Sequence, residues 1–164
     1  MKNLCQAVTL LFVLSMSIVA CKKEVATNNL PGNNPPPPPS ENPANNVVET
    51  KPAIQKGQQT SVNGNIGGYM EALPARYDST TKKYPLLVFI HGIGELGNGT
   101  SQLSNAVGVG TGAVIKNGQF PANFSVGGKN YSFIVITPQF KTWPSAEDVN
   151  DMIDYAIKKY RIDS

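Results

Sequence analysis

The sequence predicts an α/β fold that starts with a hairpin and continues with parallel strands joined by crossover helices. Residues 86–90 (LLVFI) and 133–136 (FIVI) are continuous apolar runs without the polar alternation of a half-exposed strand. Such runs are typical of strands that are covered on both faces, as in a parallel sheet. Residues 145–160 carry apolar side chains at helical spacing, which predicts a helix able to supply part of that cover.

The elements follow from local signals taken along the chain. Residues 58–73 predict a hairpin around Asn63-Gly64 that ends at Pro74. The 42 residues 91–132 are enough for a crossover between the two apolar runs. We expect a helix within residues 101–116, although three glycines weaken it. The second apolar run is expected to stop at Thr137-Pro138.

The last helix has the clearest signals. Ser145 is its predicted N-cap, and Asp148 three residues later completes a variant capping box. One apolar stripe is expected to face the sheet, formed by Val149, Met152, Ile153, Ala156, Ile157 and Tyr160.

The first 46 residues do not read as part of this domain. Residues 1–20 have a positive start and a short apolar stretch, which predicts a removable signal peptide. Residues 21–46 are rich in Pro and Asn, and five consecutive prolines at 35–39 favour a polyproline II spacer. Residues 47–164, about 118 in number, are enough for one small domain.

The end of the apolar stretch, Ile18-Val19-Ala20-Cys21, resembles the lipobox of bacterial lipoproteins. That resemblance implies cleavage before Cys21, acylation of its thiol, and a lipid anchor in the bacterial cell envelope. Lys22 after the cysteine resembles lipoproteins that are sorted to the outer membrane or cell surface. The alternative is an ordinary secretory signal with an incidental cysteine.

Composition excludes several function classes. Apolar content of 40% with 15% charge argues against a wholly disordered chain. The basic residues are scattered in singles and pairs, so no basic patch predicts nucleic-acid binding. No metal site or cofactor is expected.

The segment after the first apolar run contains Gly92, Gly94 and Gly97 in a G-x-G-x-x-G pattern, which invites a dinucleotide-binding interpretation. Two features oppose it. The chain continues as a loop rather than opening a helix, and no acidic residue for a ribose occurs from residue 96 to residue 146.

The same segment resembles the α/β-hydrolase superfamily, in particular its secreted esterase and dienelactone-hydrolase-like or phospholipase/carboxylesterase-like members. The resemblance covers residues 57–164 and rests on Lys83-Tyr84-Pro85, His91-Gly92-Ile93-Gly94-Glu95, Gly97, Thr137-Pro138-Gln139-Phe140 and Trp143. It implies an oxyanion loop in which the backbone N–H of Ile93, or alternatively that of Gly94, binds the anionic oxygen. His91 and Gly92 would support that loop.

The resemblance also implies roles for residues beyond the loop. Gln139 and Trp143 would lie on a substrate rim at the carboxyl ends of the strands, although Trp143 could equally be loop packing. His91 is the only histidine, which suggests a general base. In the family, however, the catalytic histidine comes later in the chain, so a loop-ordering role is the stronger expectation for His91.

The catalytic triad of such a hydrolase is missing from the sequence. No G-x-S-x-G occurs, and no histidine follows His91. We therefore expect the front part of an envelope-anchored serine hydrolase of the esterase type, inactive by itself, since a complete domain needs about 200 residues. The alternatives are a non-catalytic surface-anchored binding lipoprotein, with Tyr69, Tyr131 and Trp143 as contacts, and a peptidase of the same fold.

Overall fold

The computed structural model describes residues 47–163, so the predicted signal peptide, Cys21, the tether and Ser164 lie outside the described residues. In chain order the elements are β1 (Ile54–Gln58), β2 (Ile66–Leu73), β3 (Leu86–Val88), α1 (Gly110–Lys116), β4 (Phe124–Val126), β5 (Lys129–Tyr131), β6 (Ile134–Phe140) and α2 (Ala146–Lys159). None of the helices in this part of the chain is long and apolar enough to cross a bilayer.

Four strands form one mixed sheet in the order β1-β2-β6-β3. β1 and β6 both pair antiparallel with β2, whereas β3 pairs parallel with β6. The α/β class is therefore confirmed at the level of a mixed four-stranded sheet with two helices.

Both faces of β6 are covered, which explains why its sequence shows no polar alternation. Ile134 and Ile136 pack with Met152 and Ala156 of α2 in one cluster. Val135 points the other way and packs with Ile115 of α1 in a second cluster. Strand side chains alternate between faces, so a strand buried on both sides is apolar throughout.

The hairpin exists, but its first strand lies earlier than expected. β1 begins at Ile54 and ends at Gln58, and seven residues connect it to β2. The turn at Asn63 is made by its side chain, whose Oδ1 accepts the N–H groups of Asn65 and Ile66 at 2.9 Å each. This Asx-type turn replaces the tight Asn-Gly turn that the sequence suggests.

The second apolar run does not stop at Thr137-Pro138, which corrects that expectation. β6 continues to Phe140, and Pro138 pairs with Tyr69 of β2. The last hydrogen bond to the β3 side joins Phe89 N–H to the Ile136 carbonyl at 2.9 Å. Pro138 faces the same side and has no N–H for the next bond, so the parallel ladder to β3 ends here while the pairing with β2 continues to Phe140.

The crossover contains one expected and one unexpected element. A 3-10 helix over Leu103–Val107 leads into α1, within the range predicted to be helical. The ribbon of β4 and β5 was not expected. Gly127 (φ 57°) and Gly128 (φ 78°) form its two-residue turn, and two successive positive φ angles are what a type I′ turn requires.

The last helix follows its sequence signals closely. Ser145 caps it, and the reciprocal bonds of a capping box join Ser145 and Asp148. Met152, Ala156 and Tyr160 are buried as expected. Ile157 is 44% exposed, because the buried stripe is centred on the Met152–Ala156 line and includes Tyr155 instead.

Acidification is expected to weaken the α2 cap. The Ser145 backbone N–H, and then the Asn65 side chain, lower the pKa of Asp148 by hydrogen bonding to its carboxylate. A folded pKa below the unfolded value gives stability that is present above about pH 4 and is lost as the pH falls through the folded pKa. The melting temperature of the Asp148→Asn variant should therefore lie below that of the wild type at neutral pH. The difference should narrow in acid, while an Asp154→Asn control follows the wild type throughout.

Candidate functional site

The candidate site lies at the carboxyl ends of β3 and β6, which meet at the same edge because these strands are parallel. The chain leaves β3, passes through His91 and Gly92, and forms a loop that runs back over the sheet to residue 102. Ligands of open α/β sheets bind at this type of edge.

The turn after His91-Gly92 is a single 3-10 turn over Ile93–Glu95. Gly92 is extended before it (φ −83°, ψ −178°), and the Glu95 N–H donates to the Gly92 carbonyl at 3.3 Å. The N–H groups of Ile93 and Gly94 open the turn, so the turn itself offers them no acceptor. Ile93 is 75% exposed, and nothing crowds the Cα of Gly94. Either N–H group is available to an external acceptor.

His91 is buried, and both of its ring nitrogens are used within the protein. The Phe140 N–H donates to Nε2 at 3.2 Å, so Nε2 must carry the lone pair. The hydrogen therefore resides on Nδ1, which donates to the Gly92 carbonyl at 2.8 Å. A neutral imidazole with its acceptor nitrogen occupied cannot take a proton from a nucleophile. The geometry supports the loop-ordering role for His91. Because both of its ring nitrogens are already hydrogen-bonded within the protein, His91 does not fit the role of general base.

The buried side chain of Gln139 is hydrogen-bonded to three backbone groups of the loop that follows Gly92. Its Oε1 accepts the Gly99 N–H at 2.9 Å, and its Nε2 donates to the carbonyls of Glu95 (3.0 Å) and Gln102 (2.7 Å). The side chain is 0% exposed, which corrects its expected place on the substrate rim. Gly97 lies against this amide, and a Cβ there would overlap it. Gln139 therefore positions the loop and does not contact a substrate.

Glycines let the loop lie directly on the sheet. A Cβ on Gly67 or Gly68 of β2 would overlap the carbonyls of Asn98 and Gly99. Gly99 itself has a positive φ of 75°, a conformation that glycine adopts without strain. Backbone packs on backbone at this point, so the loop contacts the amino end of β2 as well as β6.

The open part of this edge is a shallow cleft of about 390 Å³. Its walls are Leu96, Gly97, Asn98, Gln102 and Lys141. Trp143 is 67% exposed but does not line the cleft. Of the two predicted rim residues, then, one is buried beneath the loop and the other is exposed beyond it.

Two other expectations can be compared with the structure. The glycine pattern opens only the three-residue 3-10 turn, and α1 begins at Gly110, so no α-helix N-terminus lies there to face a phosphate. Tyr69, named above as a contact for a binding protein, is buried, and its hydroxyl bonds to that of Tyr160 at 2.9 Å. Burial raises the pKa of both tyrosines, and Glu71 beside Tyr160 adds to its rise.

No cluster of three or more metal-binding side chains occurs within residues 47–163. No protein-family model matches the chain, and no curated protein matches it in sequence.

Proposed function

We propose that residues 47–163 form the front part of an α/β-hydrolase domain and supply the oxyanion-binding half of an esterase-type serine hydrolase. One observation carries the proposal: a buried histidine and a buried glutamine hold a turn whose first two N–H groups have no acceptor within it. The turn follows the third strand and precedes the first α-helix. In α/β-hydrolases one oxyanion donor comes from the loop at this point of the chain.

The chemistry follows from that arrangement. A serine alkoxide attacks the ester carbonyl, and the carbonyl oxygen becomes an anion in the tetrahedral intermediate. The N–H of Ile93, or alternatively that of Gly94, would stabilise this anion. The intermediate would then collapse to an acyl-serine as its C–O bond to the alcohol breaks and the protonated alcohol leaves, and water would hydrolyse the acyl-serine to the acid and free serine. Donors that are already fixed before the reaction need no reorganisation when the charge develops, and one such donor is worth about 3 kcal/mol of barrier.

On the side of β3 that faces away from β6, a further strand could pair and bring the nucleophile to the candidate site. After α2 the chain returns to the sheet, where Tyr84 and Ile162 form a parallel bridge: Tyr84 N–H donates to the Arg161 carbonyl, and Asp163 N–H to the Tyr84 carbonyl, at 2.9 Å each. A strand that continued from Ile162 in this register would end beside the His91-Gly92 turn. The nucleophile would stand at the end of such a strand.

We also propose an envelope anchor, which is supported by the resemblance of Ile18-Val19-Ala20-Cys21 to a lipobox. Acylation of Cys21 would tie the domain to a bacterial membrane through the Pro-rich segment.

Ester turnover tests the function directly. We expect the 164-residue chain to hydrolyse a p-nitrophenyl ester no faster than buffer. A gene product that extends beyond Ser164 should hydrolyse the ester and react with a fluorophosphonate probe. A p-nitroanilide run in parallel separates an esterase from a peptidase. If the extended product neither turns over ester nor reacts with the probe, the hydrolase proposal is wrong.

A second candidate is a surface-anchored binding protein, because Trp143 and Tyr131 are exposed aromatic side chains. Retention of the chain on a polysaccharide resin, lost in Trp143→Ala, would favour that function.

A further inference from the structure

A pocket of about 270 Å³ lies on one face of β1 and β2. Ile54 and Lys56 of β1 stand opposite Leu73 and Glu71 of β2, and all four residues line the pocket. The sheet order β1-β2-β6-β3 places these two strands at the end of the sheet that is far from β3. None of the lining residues belongs to the candidate oxyanion loop, so the pocket is a separate site.

Glu71 brings a buried carboxylate to this pocket, because its side chain is only 6% exposed. Its Oε1 accepts the Gln58 amide at 2.8 Å, and its Oε2 accepts the Tyr160 hydroxyl. The Tyr160 hydroxyl is hydrogen-bonded to that of Tyr69, which accepts the Lys159 ammonium. An ionised carboxylate offers about four acceptor sites, and these contacts fill two of them. Glu71 is therefore fixed in place and can still accept hydrogen bonds from a ligand.

Exposed charged side chains line the same pocket nearer to solvent. They are Lys51, Lys56 and Asp78. Neither lysine ammonium forms a hydrogen bond or an ion pair within the described residues 47–163. The pocket therefore combines a buried carboxylate with two cationic groups at its mouth that are free to bind an anion.

The rest of the wall is apolar and small. The ring of Tyr77 is held in place by Arg161, whose guanidinium carbon lies 3.8 Å from the ring centre. Ile54 is 74% exposed, so an aliphatic group placed against it would cover apolar surface that is now in water. Pockets for drug-sized ligands measure about 300–1,000 Å³, so this one suits a smaller molecule. The apolar lining residues are Pro52, Ile54, Leu73, Pro74, Ala75 and Tyr77.

We propose that this pocket binds a free α-amino acid with a branched aliphatic side chain. Its ammonium group would donate to Glu71, and its carboxylate would accept from Lys51 or Lys56. Charge complementarity selects this class, because a purely cationic ligand would meet the two lysines and a purely anionic ligand would meet the buried carboxylate. The aliphatic side chain would pack against Ile54 and Leu73. This inference goes beyond the hydrolase proposal and does not depend on it.

An NMR titration of the isotope-labelled full chain tests the inference with three matched probes. L-Leucine carries both charges, isoamylamine lacks the carboxylate, and isocaproate lacks the ammonium group. Leucine should shift the amide signals of Ile54 and Ala75 until they saturate. Each analogue should bind more weakly by about tenfold or more, because it loses a hydrogen bond between charged groups.

Variants should exchange the preference among these probes. The double variant Lys51→Gln with Lys56→Gln should bind leucine more weakly and isoamylamine more tightly than the wild type, because the repelling cations are gone. Glu71→Gln keeps an acceptor for Tyr160 and should shift the preference towards isocaproate. Lys158→Gln removes one positive charge from the exposed face of α2, outside the pocket, and should leave all three affinities unchanged.

The inference is overturned if leucine gives no saturable shift, or if either analogue binds the wild type as tightly as leucine does. An unchanged leucine affinity in the double lysine variant would overturn it as well. The two lysines are exposed, so that variant tests the inference even if Glu71→Gln fails to fold. None of these measurements involves ester turnover, so failure here leaves the hydrolase proposal standing, and failure of the hydrolase proposal leaves this pocket unaffected.

Discussion

Under the proposed hydrolase function, replacing Ile93 with proline is expected to lower the kcat for ester hydrolysis by about 10²–10³-fold in a product that carries the nucleophile, with little change in the fold. Proline has no backbone N–H, so the substitution removes the proposed donor itself. Loss of one oxyanion donor costs about 2.7–4 kcal/mol of barrier in serine hydrolases. Because the lost interaction develops in the transition state, KM should change little.

The local geometry makes proline a clean substitution at this position. Ile93 is the first residue of the 3-10 turn, where proline is well tolerated because the N–H has no acceptor in the turn. Gly92 before it is extended (ψ −178°), as the residue before a proline prefers.

Ile93→Ala is the matched control, since it shortens the exposed side chain but keeps the N–H. We expect it to retain kcat within a few-fold. If the proline and alanine variants had the same kcat, Ile93 could not be the donor. Equal melting temperatures for both variants and the wild type would show that the loop stays in place.

The elements that could be predicted are those whose burial requires apolar residues at regular positions in the sequence. β6 is fully buried on both sides, β3 is half-buried with Leu86 and Leu87 packed against opposite clusters, and α2 carries its caps and its apolar stripe, so each has a local signature. β1 has none. Ile54 is exposed, and the strand forms by pairing its backbone with β2, a long-range choice that leaves no apolar pattern. The Gly127-Gly128 turn of β4 and β5 did carry a signal, a Gly-Gly pair between short extended segments.

The candidate site was predictable in position but not in its supports. The His-Gly turn after an apolar run indicated the loop, and the structure has it at the expected edge. Gln139 was expected on a rim because a polar residue near the end of a strand often faces a ligand. Its true contacts lie 37 to 44 residues earlier in the chain. No local pattern reveals contacts at that distance.

Gln139→Met is expected to lower the free energy of unfolding by about 3 kcal/mol or more. Methionine fills a similar volume but cannot bond the Gly99 N–H or the carbonyls of Glu95 and Gln102. Each buried polar group left without a partner costs about 1–3 kcal/mol. Urea denaturation measures the change, and Gln59→Met at an exposed position controls for the new side chain.

Gln139→Glu shows whether the amide donor is what holds the loop. A carboxylate still accepts the Gly99 N–H, but it repels the two carbonyls that Nε2 now binds. We expect Gln139→Glu to destabilise the protein as well, and the Gly99 amide to exchange faster in the methionine variant than in the glutamate variant. Stability equal to that of the Gln59→Met control would contradict a structural role for Gln139. If both Gln139 variants unfold early and Ile93→Pro does not, the support of the loop and its proposed chemistry belong to different residues.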